Sequence, residues 1–130
     1  MGDSLTVQIL PDTFAICRLS PLTPLPEWFL DSEFFSVTKG EKELSVVCSA
    51  DILPEGLTCN SGWRCLRVVG PLDFSLTGIL SSLASPLADA AISIFAISTH
   101  DTDYLMVKSE QFDEAIHVLQ DSGHQIAPVK

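Results

Sequence analysis

The stretch ISIFAISTHDTDYLMVK, from Ile92 to Lys108, sets two apolar runs around a polar knot of Ser98, Thr99, His100, Asp101, Thr102 and Asp103. Aromatic and β-branched residues dominate both runs, and a short polar cluster between such runs reads as two antiparallel strands joined by a tight loop. Each strand is apolar on both faces, which predicts a place in the middle of a sheet covered on at least one side. Hydroxyls and carboxylates crowd the tip of this hairpin, so the tip is the first place to look for a site.

Upstream of it, Trp63 to Val69 reads as a strand ended by Gly70-Pro71. Leu76, Ile79, Leu80, Leu83 and Leu87 then recur at the spacing of an amphipathic helix. Asp73 or Ser75 suits its N-cap, where a side-chain oxygen accepts from free backbone N–H groups and a carboxylate complements the dipole. Pro86 is a local conflict. Inside a helix it removes one hydrogen bond at a cost of about 3 kcal/mol, which predicts a kink, or a break with Ser85 capping a last short turn. Downstream of the hairpin, Ser109 is expected to cap a second helix with the stripe Phe112, Ala115, Ile116 and Leu119. Gly123 stops it, and His124 to Val129 is left as a short final strand. In order, residues 63–129 read βαββαβ, an α+β, ferredoxin-like arrangement.

The first half is mostly strand. Leu5 to Leu10 and Phe14 to Leu19 predict a hairpin about Pro11-Asp12-Thr13. Pro21, Pro24 and Pro26 interrupt regular structure, and Glu27-Trp28-Phe29-Leu30 can form one helical turn. Phe34 to Thr38 and Leu44 to Ser49 predict a second hairpin around Lys39-Gly40-Glu41-Lys42. The turn formers from Leu53 to Gly62 mark the internal boundary, giving one unit over residues 1–58 and another over 63–130.

Composition narrows the functions. With 130 residues and 46% hydrophobic residues the chain can bury a core. Seventeen acidic residues against seven basic ones leave a formal charge of −10, which argues against nucleic acid and anionic membranes as partners, since both demand a basic face. No apolar run is long enough to span a bilayer, and the N-terminus lacks a secretory pattern, so the expected location is cytoplasmic. Met1 to Thr6 fits the letter of a myristoylation motif, but Asp3 and the lack of a basic patch argue against lipidation. Cys17, Cys48, Cys59 and Cys65 form no C-x-x-C pair and have no histidine at zinc spacing, so no metal site is expected. They read as buried thiols, with a Cys59–Cys65 bridge as the alternative in an exported protein.

Gly70-Pro71-Leu72-Asp73-Phe74-Ser75-Leu76-Thr77-Gly78-Ile79-Leu80, then Ala91 to Phe95, then Ile97 to Lys108, closely resemble the ACT domain. The branch they are similar to is that of small tandem-ACT proteins, aspartate kinase regulatory modules and cytosolic arginine sensors. The resemblance runs from about Trp63 to Gly123, with residues 1–58 resembling an abbreviated first ACT-like unit with antiparallel strands. It implies a non-catalytic regulatory or sensor protein that binds a small molecule, an amino acid, with no cofactor. ACT units pair side by side and hold ligands at their interface, so it also implies a homodimer and a regulated protein partner. Carried over by residue, the strand-to-helix glycine is Gly70, the acidic position after it Asp73, and the small pair on the helix Thr77 and Gly78. The hairpin motif falls on Ser98, Thr99 and Asp103, with His100 where an aromatic residue is common.

The physics of such a site is coherent. A helix N-terminus offers N–H groups to a carboxylate, so no arginine is required there, while Asp73, Asp103, Ser98 and Thr99 offer acceptors to an ammonium group. Two carboxylates near one pocket would also tolerate a lysine or arginine side chain as ligand. Plainer readings stand beside each assignment. Asp73 serves equally as a cap, Gly70 as a turn residue, and Thr99, Asp101 and Asp103 as braces of a short loop. A general-base role for His100 is poor, because the sequence places no nucleophile and no second histidine beside it.

Overall fold

The computed structural model describes residues 4–25, 27–70 and 77–129 of the chain. Its strands are β1 (Thr6–Leu19), β2 (Ser36–Lys39), β3 (Leu44–Ser49), β4 (Thr58–Val68), β5 (Ile94–Ser98), β6 (Asp103–Lys108) and β7 (Gln125–Ala127). The helices are α1 (Ile79–Asp89) and α2 (Phe112–Asp121), with single 3-10 turns at Trp28–Asp31, Ala50–Ile52 and Ser109–Gln111. Contacts divide the chain into two units. One comprises the described residues of Met1–Pro11 and Arg64–Lys130, the other Asp12–Trp63. The sequence suggested a boundary near residues 58–63. The second boundary, at Pro11, was not foreseen, and it assigns the N-terminal strand segment to the C-terminal unit.

The larger unit has the expected order β4-α1-β5-β6-α2-β7. The first part of β1 lies between β7 and β4. Thr6 to Gln8 pair in parallel with Gln125 to Ala127, and Thr6 C=O accepts from Val69 N–H at 2.8 Å. On the other side of β4 come β6 and then β5 at the edge, so the hairpin is not central as its composition predicted. An edge strand tolerates apolar residues on both faces when the chain covers part of each, and β5 is accordingly half-buried rather than buried.

The helical stripes explain this unit's core. Leu83 and Leu87 of α1 and Phe112, Ala115 and Leu119 of α2 pack on Leu66 and Val68 of β4, Leu105 and Val107 of β6, and Val7 of β1. Strand side chains alternate between faces, so Cys65, Arg67, Tyr104 and Met106 belong to the opposite face. Each of these large apolar side chains contributes about 1.5–3 kcal/mol by leaving water.

Three local expectations are corrected here. Helix α1 begins at Ile79 with Gly78 as its N-cap residue, in a left-handed conformation (φ 74°) that glycine adopts without strain. Asp73, Ser75 and Leu76, invoked as caps and stripe, lie outside the described residues. Pro86 neither ends nor breaks α1, which continues to Asp89. Ser109 does not cap α2, because a 3-10 turn over Ser109–Gln111 precedes the helix.

The smaller unit contains the C-terminal part of β1, paired antiparallel with β3 from Phe14↔Ser49 to Leu19↔Leu44, and the β2–β3 hairpin from Ser36↔Val47 to Lys39↔Leu44. The hairpin expected at Pro11-Asp12-Thr13 does not form. A single strand runs through it, with Pro11 exposed, a position where its missing N–H is tolerated. Phe29, Val46 and Cys48 form this unit's core cluster, flanked by Leu19, Trp28, Val37, Ile52 and Leu53. Ser32 ties its loop to the sheet, accepting from Ser49 N–H at 2.9 Å and donating to Phe34 C=O at 2.6 Å. Cys59 to Gly62, expected in a loop, belong to β4. Cys17 and Cys59 form a disulfide, a pairing that neither the thiol reading nor the Cys59–Cys65 alternative foresaw. Two strands laid side by side bring together residues 42 positions apart. Sequence spacing carries no trace of that.

Candidate functional site

The loop leaving β4 and the β5–β6 turn meet at one place. Ser98 and Asp103 form the last rung of the hairpin, and Thr99 N–H closes the turn by donating to Thr102 C=O at 2.9 Å. The hydroxyl of Thr102, a residue only 7% exposed, reaches out of the turn and donates to Val68 C=O at 2.6 Å. That bond fastens the hairpin tip to the end of β4. Beside it lies a cavity of about 300 Å³ lined by Arg67, Gly70, Asp101 and Thr102.

The residues singled out from the sequence are placed unequally about this cavity. Gly70 lines it. Asp73 falls outside the described residues, and Thr77 and Gly78 are exposed and absent from the described lining. Ser98 donates to Asp103 Oδ1 at 2.6 Å, and Thr99 Oγ1 donates to Thr102 C=O at 3.0 Å while standing 3.3 Å from Thr102 N–H. The hydroxyls and carboxylate of the hairpin motif thus brace their own turn. His100 pairs through Nδ1 with Asp101 Oδ1 at 2.8 Å, and both side chains face water, 85% and 73% exposed.

Three lining residues were not among the expected site residues, and of these Asp101 was read only as a brace of its loop. Thr102 stood inside the polar knot without a role, and its burial was the signal, invisible in a cluster that looks uniformly solvated. Arg67 was not singled out, since a helix N-terminus was expected to suffice for a carboxylate. Its position between Leu66 and Val68, both in the core, aims it at the other face by strand alternation. Burial is the main reason that the Tyr104 phenol is pushed above its ordinary value. The Arg67 charge opposes that rise, while Cys65 and Asp101 add to it, so both charged lining residues are felt at Tyr104.

Among the described residues no group of three or more histidines, cysteines or acids is set to hold a metal ion. No helix among them is long and apolar enough to cross a membrane.

The ACT domain profile matches residues 58–121, covering β4, the following loop, the hairpin and α2. The chain belongs to the ACT-domain family. A second profile, describing an N-terminal domain, matches residues 12–56, within the smaller unit. This ACT-domain chain is 38% identical over 95 residues to the cytosolic arginine sensor for mTORC1 subunit 1 of Bos taurus, and equally to that of Homo sapiens. Those matches span 67% of this chain but 29% of the sensors, so the chain covers under a third of the curated relatives' length. A crystal structure of a protein from Agrobacterium tumefaciens is 34% identical, with a TM-score of 0.94 over 99% of this chain and 96% of that one. The ligand-free regulatory subunit of aspartate kinase from Thermus thermophilus shares the fold at 11% identity, with a TM-score of 0.65 over 92% of this chain and 99% of that one.

Proposed function

We propose that the chain is a non-catalytic, amino-acid-binding regulatory or sensor protein. The observation that carries this reading is the cavity where Gly70 and the β5–β6 turn come together, at about the lower end of small-molecule sites in size. Similarity to the cytosolic arginine sensors favours an amino acid as ligand and a cytoplasmic setting. The reading includes a homodimer whose paired ACT units hold the ligand between chains, a regulated protein partner, and an abbreviated ACT-like module over residues 1–58. A ligand that fits one packing of such an interface better than another shifts it by its differential affinity, about 1–3 kcal/mol in typical allosteric coupling.

The test is thermal denaturation in the presence of each of the twenty amino acids. Ligand at a hundred times its dissociation constant adds about 2.7 kcal/mol of stability. An Asp103→Ala variant should lose the shift while the unliganded protein melts nearly as before; a collapse of the fold would instead make Asp103 a brace of the turn.

One observation favours a second reading. Ser98 bonds to Asp103 and Thr99 to Thr102, a turn complete without a ligand. On that reading the ACT fold serves as a protein-interaction module, and the melting temperature is flat across all twenty amino acids.

A further inference from the structure

The cavity holds opposite charges. Arg67 and Asp101 are lining residues of opposite charge, with Gly70 and Thr102 completing the described lining. Among the described lining residues one basic and one acidic residue stand together, which differs from the two-carboxylate pocket expected from Asp73 and Asp103. Such a pair matches a molecule that itself carries both signs.

Arg67 is placed for recognition. It sits on β4, a rigid element, with Leu66 and Val68 on either side fully buried and so fixing the backbone from which it projects. It is half-buried, on the sheet face opposite the core side chains Leu66 and Val68. A half-buried guanidinium beside a cavity is a fork of donors that matches a carboxylate at two points. Asp101 is held from one side, His100 Nδ1 lying 2.8 Å from Oδ1, and a carboxylate accepts at both oxygens. The Thr102 hydroxyl is committed as donor to Val68 C=O, so towards the cavity it offers an acceptor. Gly70 adds backbone with no side chain in the way.

We propose that Arg67 anchors the α-carboxylate and Asp101 receives the α-ammonium of a zwitterionic amino acid, which is thereby recognised through its main-chain groups. This rests on the amino-acid reading above and assigns the two main-chain contacts to Arg67 and Asp101, with Asp103 bracing through Ser98 the turn that presents Asp101. Selectivity among side chains then falls to whatever lies beyond these four residues.

The experiment compares ligands before it compares variants. For each amino acid that stabilises the protein, calorimetry is run with the free acid, its carboxamide, and its N-acetyl derivative. Loss of a charged hydrogen-bond partner predicts binding weaker by about tenfold to a hundredfold for the carboxamide and for the N-acetyl compound. Arg67→Gln should weaken the free acid by a similar factor and leave the carboxamide unchanged, with Arg67→Lys between them. Asp101→Asn should do the same for the free acid against the N-acetyl compound. Carboxamides that bind wild-type protein as tightly as the acids overturn the anchor and leave amino-acid binding standing, and that comparison holds even if a variant fails to fold. No binding by any of the twenty amino acids overturns both.

Discussion

His124 resolves the conflict that Pro86 creates. In α1 the carbonyl of Ser82 would ordinarily accept from the N–H of residue 86, and proline has none. Leu5 N–H donates to His124 Nδ1 at 3.2 Å, so Nε2 carries the hydrogen and donates to Ser82 C=O at 3.0 Å. His124 is 6% exposed, and its two bonds join β1's approach, the segment entering β7 and α1. His124→Ala should cost about 1–3 kcal/mol by leaving buried groups unpaired. Pro86→Ala supplies a new N–H to Ser82, so it should recover part of that loss; a double-mutant cycle by urea denaturation reads the coupling, and strict additivity would disprove the link. Ala91 is a second residue-scale feature. Ala91 N–H donates to Ala88 C=O and Ile92 N–H to Leu87 C=O, closing the helix with Ala91 at φ 60°, a left-handed position where glycine is usual. Ala91→Gly is therefore expected to stabilise the protein by about 0.5–1 kcal/mol, seen as a raised melting temperature.

Among the elements, β1 departs most from its sequence. Pro11-Asp12-Thr13 has every mark of a turn, yet the strand runs straight through because each end finds a different partner, Thr6 to Gln8 on β7 and Phe14 to Leu19 on β3. Turn propensity is a fraction of the energy of two sets of ladder bonds and buried side chains such as Val7 and Phe14. The Cys17–Cys59 disulfide then closes a loop of 42 residues that holds β2 and β3. On the chain-entropy account such a loop contributes about 4 kcal/mol. Reduction should lower the denaturation midpoint accordingly, while a Cys17→Ser, Cys59→Ser protein should be insensitive to reductant; equal midpoints with and without reductant in the wild type would remove the bridge from the stability account. In a reducing cytoplasm the bridge would have to resist the thiol pool, so the same titration also bears on location.

At the scale of the whole molecule, each unit carries one buried free thiol, Cys48 in the smaller and Cys65 in the larger. Burial pushes Cys48 from its ordinary 9.0 up to about 11 and Cys65 up to about 12. Unfolded thiols lose their protons near pH 9 while the folded ones keep them, so above that point the unfolded state binds fewer protons and stability falls as pH rises. The slope is about 1.4 kcal/mol per pH unit for each thiol up to its folded value, and below pH 9 neither contributes. Denaturation midpoints between pH 7 and 10.5 should show this decline, less steep in Cys48→Ala and Cys65→Ala proteins. For the same reason neither thiol should be alkylated in the folded protein at neutral pH.

Periodicity alone determined the order βαββαβ over residues 63–129, the β2–β3 and β5–β6 hairpins and the helical stripes. Those features depend on neighbours within a few positions, and Leu83, Leu87, Phe112 and Leu119 reach the core as their spacing requires. The hairpin tip and Gly70 were likewise legible as places of interest. Only the tertiary structure decided what joins them. The Thr102 bond to Val68 spans 34 positions, His124 reaches Ser82 across 42, and Cys17 finds Cys59 across the same distance. Such contacts depend on which strands become neighbours, and a sequence window of a few residues carries no record of it. Arg67 shows the difference most clearly: read along the chain it is one polar residue in an apolar strand, and in the fold it lines the same cavity as Asp101.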